Sequence, residues 1–208
     1  FLGDSPYTFK PRFLLEPNGE LRLVSLPTLE EHELALLFKE PTAVLPHESF
    51  LPGSRYGPVP WQAPYTLAVF RGFFHPRVTA RLTGGTSWAS FLAPEHTTGA
   101  VKLTATLAAE FNREAQRKGT LQTLVVVFTS PSAFFQREAG SSWAQEPLVN
   151  ALQSQGLRTL DLGPIFREHL NGESICTLMR YPETCDGHYN EEGYALVAES
   201  VAPVIQEH

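Results

Sequence analysis

Charge is scarce in this sequence. Only 18% of the 208 residues are Asp, Glu, Lys or Arg, which is low for a globular chain. No run of Lys or Arg occurs, and the formal net charge is -6. A nucleic-acid binder needs a basic surface to neutralise phosphates, so nucleic acid is not an expected partner. Long apolar runs are missing too. The best one, Leu121 to Phe128, is strand-length, far short of the ~18 consecutive apolar residues of a membrane span. No span is therefore expected. No secretory signal is read at the start, because Phe1-Leu2-Gly3 is followed at once by Asp4. The first residue is not Met, so processing or excision from a longer protein is the expectation. Cysteine is sparse, and no CxxC or Cys/His zinc spacing appears. Neither a metal nor another cofactor is expected.

The two cysteines that do occur, Cys176 and Cys185, enclose eight residues. A loop of that length closes easily. Met179-Arg180-Tyr181-Pro182-Glu183 between them reads as loop. A disulfide and two buried thiols both remain open readings. The first would place the chain in an oxidising, extracytoplasmic compartment.

The chain divides at about residue 98. Residues 1–97 read as an irregular region rich in Pro and Gly. Within it, Arg12 to Leu15 and Leu21 to Val24 flank the turn signal Pro17-Asn18-Gly19, which predicts a β-hairpin. Residues 28–40 suit a short helix opened by Thr28, with Glu30 and Glu31 in the first turn. From Pro41 to Pro64 the prolines are too dense to expect regular structure, and residues 65–92 show no clean period. Residues 98–208 are sharper. Leu103, Leu107, Phe111 and Ala115 recur at helical spacing between Ala100 and Lys118, with Gly119 as a stop. The Val-rich run Leu121 to Phe128 suits a parallel strand buried on both faces. Pro147 to Gln155 predicts a helix, Leu157 to Leu162 a second strand, and Asn190 the cap of a last helix carrying Tyr194, Val197, Val201 and Ile205. The order predicts an α/β domain with a parallel sheet. Two central strands fall short of the about four to six usual for a sheet. This half therefore either recruits the N-terminal region or lacks partner strands.

The chemistry concentrates in Asp186-Gly187-His188-Tyr189-Asn190, just before the last helix. Ligands of open α/β sheets collect in such loops, beyond the strand ends. In an extended segment, Asp186 and His188 point to one side. A carboxylate that accepts Nδ1–H fixes the imidazole tautomer and leaves Nε2 free to take a proton from a serine hydroxyl. The plainer alternative is a polar helix-entry loop in which Asp186 is a turn residue and Asn190 only a cap. Asp161 reads as a turn cap, with a cleft position as its alternative. His32, His47, His75, His96, His169 and His208 show no ligand spacing. Trp61, Trp88 and Trp143 are expected in packing rather than as sugar-stacking faces. Ser130 and Ser132 lie outside any Gly-x-Ser-x-Gly elbow.

The Asp186-x-His188 pair followed by Tyr-Asn-Glu-Glu-Gly-Tyr resembles the last sequence block of SGNH/GDSL hydrolases. Its close spacing is similar to the variant seen in SGNH-like O-acetyltransferases. The preceding order also resembles that family: a strand ending in Thr129-Ser130-Pro131, a helix, and a strand over Gly156 to Leu162. The resemblance covers roughly residues 98–208. It implies a three-layer, flavodoxin-like parallel sheet that lacks its N-terminal strands in this chain. It also implies a serine hydrolase or acyltransferase in which Asp186 and His188 are catalytic.

The family pattern further requires a Gly-Asp-Ser block after a first strand, and a Gly and an Asn that help form the oxyanion hole. Gly3-Asp4-Ser5 fits the letters. Only Phe1 and Leu2 precede it, however, and Pro6 follows it. Lys10-Pro11-Arg12-Phe13 with the Leu21 to Pro27 stretch is similar to an insertion that follows the Asn block in many bacterial members. The expected nucleophile therefore lies on a segment preceding Phe1, with Ser5 as the alternative. An acyl-ester or glycan substrate and an N-terminal half as partner follow from the resemblance. A non-catalytic binding or assembly module is the rival reading.

Overall fold

The computed structural model describes residues 12–25, 30, 33–48, 51, 57, 64–75, 78–79, 82, 89–119 and 122–206. The chain is mixed α/β and forms two compact units, Phe1–Ser87 and Trp88–His208.

In the first unit, β1 (Arg12–Leu15) pairs antiparallel with β2 (Leu21–Val24) in the register Arg12↔Val24 to Leu15↔Leu21. The turn closes as its residue types dictate. Gly19 N–H donates to the Glu16 carbonyl at 2.8 Å, and Asn18 Oδ1 accepts from Glu20 N–H at 3.0 Å. Arg12 forms an ion pair with Glu48 and donates to the His47 carbonyl. The expected helix over 28–40 is confined to α1 (Leu34–Lys39). Thr28 and Glu31 lie outside the described residues. Regular structure does occur past Pro41, contrary to expectation: α2 (Pro41–Val44) starts on the proline itself. A proline at the first helical position costs nothing, because its missing N–H would have had no partner there. Helix α3 (Tyr65–Phe73) was not foreseen.

In the second unit, a 3-10 turn, Ala89–Leu92, precedes α4 (Ala100–Arg117). Helix α4 has the expected extent but packs by a different face. Its buried residues are Val101, Ala105 and Ala109. Ala105 and Ala109 pack in one cluster with Leu152 of α6 (Glu146–Ser154) and Val127 of β3 (Val125–Val127). Small side chains let two helices approach closely, and the Leu103-Leu107-Phe111 stripe is left to the other side. Phe111 is 69% exposed.

Strand β3 pairs parallel with β4 (Thr159–Asp161) as Val125↔Thr159, Val126↔Leu160 and Val127↔Asp161. Both are shorter than expected, and Leu121 lies outside the described residues. Of the β3 valines only Val127 is buried, so burial on both faces does not hold. Between the strands run α5 (Pro131–Glu138), capped by the Ser130 hydroxyl on Ala133 N–H, and α6. Strand β4 ends where Asp161 caps α7 (Leu162–Leu170) through Gly163 N–H at 3.0 Å. This cap is why the expected strand stops before Leu162.

A 3-10 turn, Ile175–Leu178, leads into the antiparallel hairpin of β5 (Met179–Tyr181) and β6 (Asp186–Tyr189), and α8 (Glu191–Gln206) follows. The segment read as loop between the cysteines is therefore largely this hairpin. Phe134, Leu162, Phe166, Leu170, Ile175, Leu178, Met179, Tyr189 and Leu196 form one continuous core under it. Trp143 meets Phe134 edge to face and packs on this core. Trp61 and Trp88 lie outside the described residues. Among the described residues no helix is long and apolar enough to cross a membrane.

Candidate functional site

The Asp186–Tyr189 segment is held from three sides. Cys185, next to Asp186, is disulfide-bonded to Cys176, so the bonded alternative is the one realised. The bond ties the hairpin to the 3-10 turn packed on the core. A disulfide fits an oxidising compartment. At the other end Asn190 makes three contacts that seat α8. Its N–H donates to the Leu178 carbonyl at 2.9 Å, and its Nδ2 donates to the Thr177 carbonyl at 2.7 Å. Its Oδ1 accepts from Gly193 N–H at 2.9 Å, the helix cap read from sequence. Gly193 is needed there. A Cβ would stand 2.9 Å from both the Leu178 carbonyl and Tyr189 Cβ.

The third tether is Tyr189. Its ring is buried against Phe166, with centroids 5.1 Å apart, and its hydroxyl donates to the Thr129 carbonyl at 2.5 Å. Thr129 lies two residues past the end of β3. The bond therefore fastens β6 to the carboxyl end of the parallel pair. Burial, and to a lesser degree the neighbouring Tyr194, pushes the Tyr189 hydroxyl up to about 12, and the Thr129 carbonyl partly offsets this. Thr129 Oγ1 is itself buried and makes no hydrogen bond to the described residues.

Asp186 and His188 thus stand on β6, not in a loop, and both are exposed. Gly187 between them adopts φ +89° and faces the Tyr181 ring, where a Cβ would meet carbon at 3.0 Å. The Asp186 Oδ1 accepts from Gly187 N–H at 2.7 Å. No hydrogen bond joins Asp186 to His188. The structure places them on one short strand but does not couple them. A shallow cavity of about 690 Å³ is lined by Arg180, Tyr189, Asn190, Glu191, Tyr194 and Ala195, and neither Asp186 nor His188 is among its lining residues.

The other candidates take structural roles. Asp161 caps α7 and also accepts from the buried Gln145 Nε2 at 3.1 Å. Ser130 caps α5, and Ser132 bonds to it. His47 and His169 are exposed, and His169 lies 3.9 Å from Glu192. Ser5, His32 and His208 fall outside the described residues. Among the described residues no group of His, Cys, Asp and Glu is arranged to hold a metal ion. The anchoring role of Tyr189 was missed by sequence reasoning. The only available signal was a large aromatic directly after His188, where strand alternation turns it inward.

No family model matches the chain, and no curated protein or solved structure was found to match it.

Proposed function

We propose that this chain is the C-terminal part of an SGNH-type serine hydrolase or acyltransferase acting on O-acyl esters, with carbohydrate O-acetyl groups as the candidate substrate. The reading is carried by the Tyr189–Thr129 hydrogen bond. It holds Asp186 and His188 near the carboxyl end of β3, where open α/β sheets bind their ligands. The disulfide and the Asn190 cap hold the same segment from either end. Two further features fit a sheet that lacks partner strands: Phe128 is 52% exposed at the end of β3, and Phe111 is exposed on α4.

In this reading a serine hydroxyl attacks the ester carbonyl and its proton passes to His188 Nε2. The proton then goes to the departing alcohol oxygen, leaving an acyl-serine that water or a sugar hydroxyl resolves. Asp186 holds the imidazole in the tautomer that leaves Nε2 free. The serine belongs to an N-terminal segment that completes the sheet, or is Ser5. The compartment is extracytoplasmic. Catalytic hydrogen bonds are often long or misaligned without substrate, so the uncoupled Asp186 and His188 are compatible with this role. The same uncoupling favours a second reading, an SGNH-like binding or assembly module without catalysis.

Hydrolysis of p-nitrophenyl acetate by the protein as its source makes it, with any co-purifying chain, separates the two. His188→Ala and Asp186→Ala, both at exposed positions and with folding checked by circular dichroism, lose hydrolysis in the first reading. Activity that survives in His188→Ala removes the assigned role.

A further inference from the structure

Helix α3 turns most of its apolar side chains outward. Ala68 is buried and Gly72 partly so. Spaced by four, they share one side of the helix. At about 100° per residue, Tyr65, Leu67, Val69, Phe70, Phe73 and Phe74 spread over an arc of about 200° facing away from Ala68. All six are exposed, from 46% at Val69 to 73% at Phe74. The Phe70 and Phe74 rings meet edge to face at 5.2 Å, so they pack on each other in the open. Arg71, exposed, stands at one border of the arc. Exposed apolar residues that occur singly need no explanation, but a contiguous set does.

In the sequence flanking this helix, charge is of one sign. From Ser49 to Ser87 the sequence contains no Asp or Glu, yet it contains Arg55, Arg71, Arg77 and Arg81. This stands out in a chain of net charge -6. The rest of the molecule would be repelled by an anionic surface, and this stretch would be drawn to it.

We propose that α3 is an interfacial anchor that lies on an anionic lipid surface. Its apolar arc enters the boundary between headgroups and acyl chains, the Ala68–Gly72 side stays on the protein, and the arginines meet lipid phosphates. The run from Ser49 to Ser87, with arginines and no Asp or Glu, is what favours an anionic lipid surface as the occupant of this face. The inference does not depend on the roles of Asp186 and His188.

The test is flotation of the 208-residue chain with phosphatidylcholine vesicles and with phosphatidylglycerol-rich vesicles. The chain is expected to float with the anionic vesicles, less so in concentrated NaCl, where charge attraction is screened. Phe70→Glu with Phe74→Glu is expected to weaken binding about tenfold or more, with an unchanged far-ultraviolet spectrum and melting temperature. Arg71→Glu gives a smaller loss and checks the charge contribution separately. No flotation with anionic vesicles overturns the proposal, as does equal flotation of the double variant or equal affinity for both vesicle types. A dimer in light scattering that Phe70→Glu dissolves, without vesicle binding, assigns the face to a second copy instead.

Discussion

The two units hold their large apolar side chains differently. In the second, Phe134, Phe166, Leu152, Leu162, Ile175 and Leu178 are fully buried, although Phe111, Phe128 and Ile205 stay exposed. Its helices α5, α7 and α8 start on side-chain caps from Ser130, Asp161 and Asn190, whereas α4 and α6 start without one. In the first unit, α1 and α3 begin without a side-chain cap, and Phe70, Phe73 and Phe74 face outward. The second unit combines a packed core with the tethered Asp186–Tyr189 segment. The first exposes the apolar face of α3. A residue of the same type should therefore have opposite consequences in the two places.

The largest expected effect is on activity. In the hydrolase reading, His188→Ala lowers ester hydrolysis about a thousandfold or more while the melting temperature stays put. The next is on stability. Phe166→Ala, in the centre of the second core, is expected to cost about 3–5 kcal/mol, whereas Phe70→Ala in α3 stays within about 0.5 kcal/mol. Urea denaturation of both variants checks the comparison, and equal costs would break it. Replacing Cys176 and Cys185 together by Ser removes about 2–3 kcal/mol and loosens the hairpin that carries Asp186. Smaller than the loss of Phe166 or of the disulfide is the effect of the Tyr189 tether. Tyr189→Phe is expected to cost about 1–2 kcal/mol, because it leaves the Thr129 carbonyl short of a partner.

Tyr189 also gives a pH dependence. Its hydroxyl holds its proton up to about 12 in the folded chain, against about 10 when unfolded. A raised folded value means that the folded state keeps a proton the unfolded state releases. That contribution is fully present below about pH 10 and is lost as pH rises toward 12. The melting temperature of the wild type should fall more steeply over this window than that of Tyr189→Phe.

Local signals in the sequence were read well where a few adjacent residues decide the structure. The Pro17-Asn18-Gly19 turn, the extent of α4 and the Asn190 cap all depend on neighbours in the chain. What depended on distant partners was not legible. The apolar period of α4 pointed to Leu103, Leu107 and Phe111, yet Ala105 and Ala109 form the packed face, because α6 needs a close approach there. The strand over Leu157 to Leu162 was read too long, since Asp161 turns the chain into α7 by capping Gly163. Two cysteines nine positions apart left both bonded and free forms open, and the fold of the hairpin decides for the bond. Asp186 and His188 were singled out by residue type and spacing. Their fastening to β3 was not, because the Tyr189–Thr129 bond spans 60 residues.

The central claim, that His188 serves a nucleophilic serine, is tested most directly by intact-mass spectrometry after treatment with a fluorophosphonate. The preparation should be the protein as its source makes it, with any co-purifying chain. The hydrolase reading expects an adduct on an N-terminal partner segment, or on this chain at Ser5, that is lost in His188→Ala. An absence of any adduct, or labelling that survives His188→Ala, would contradict it.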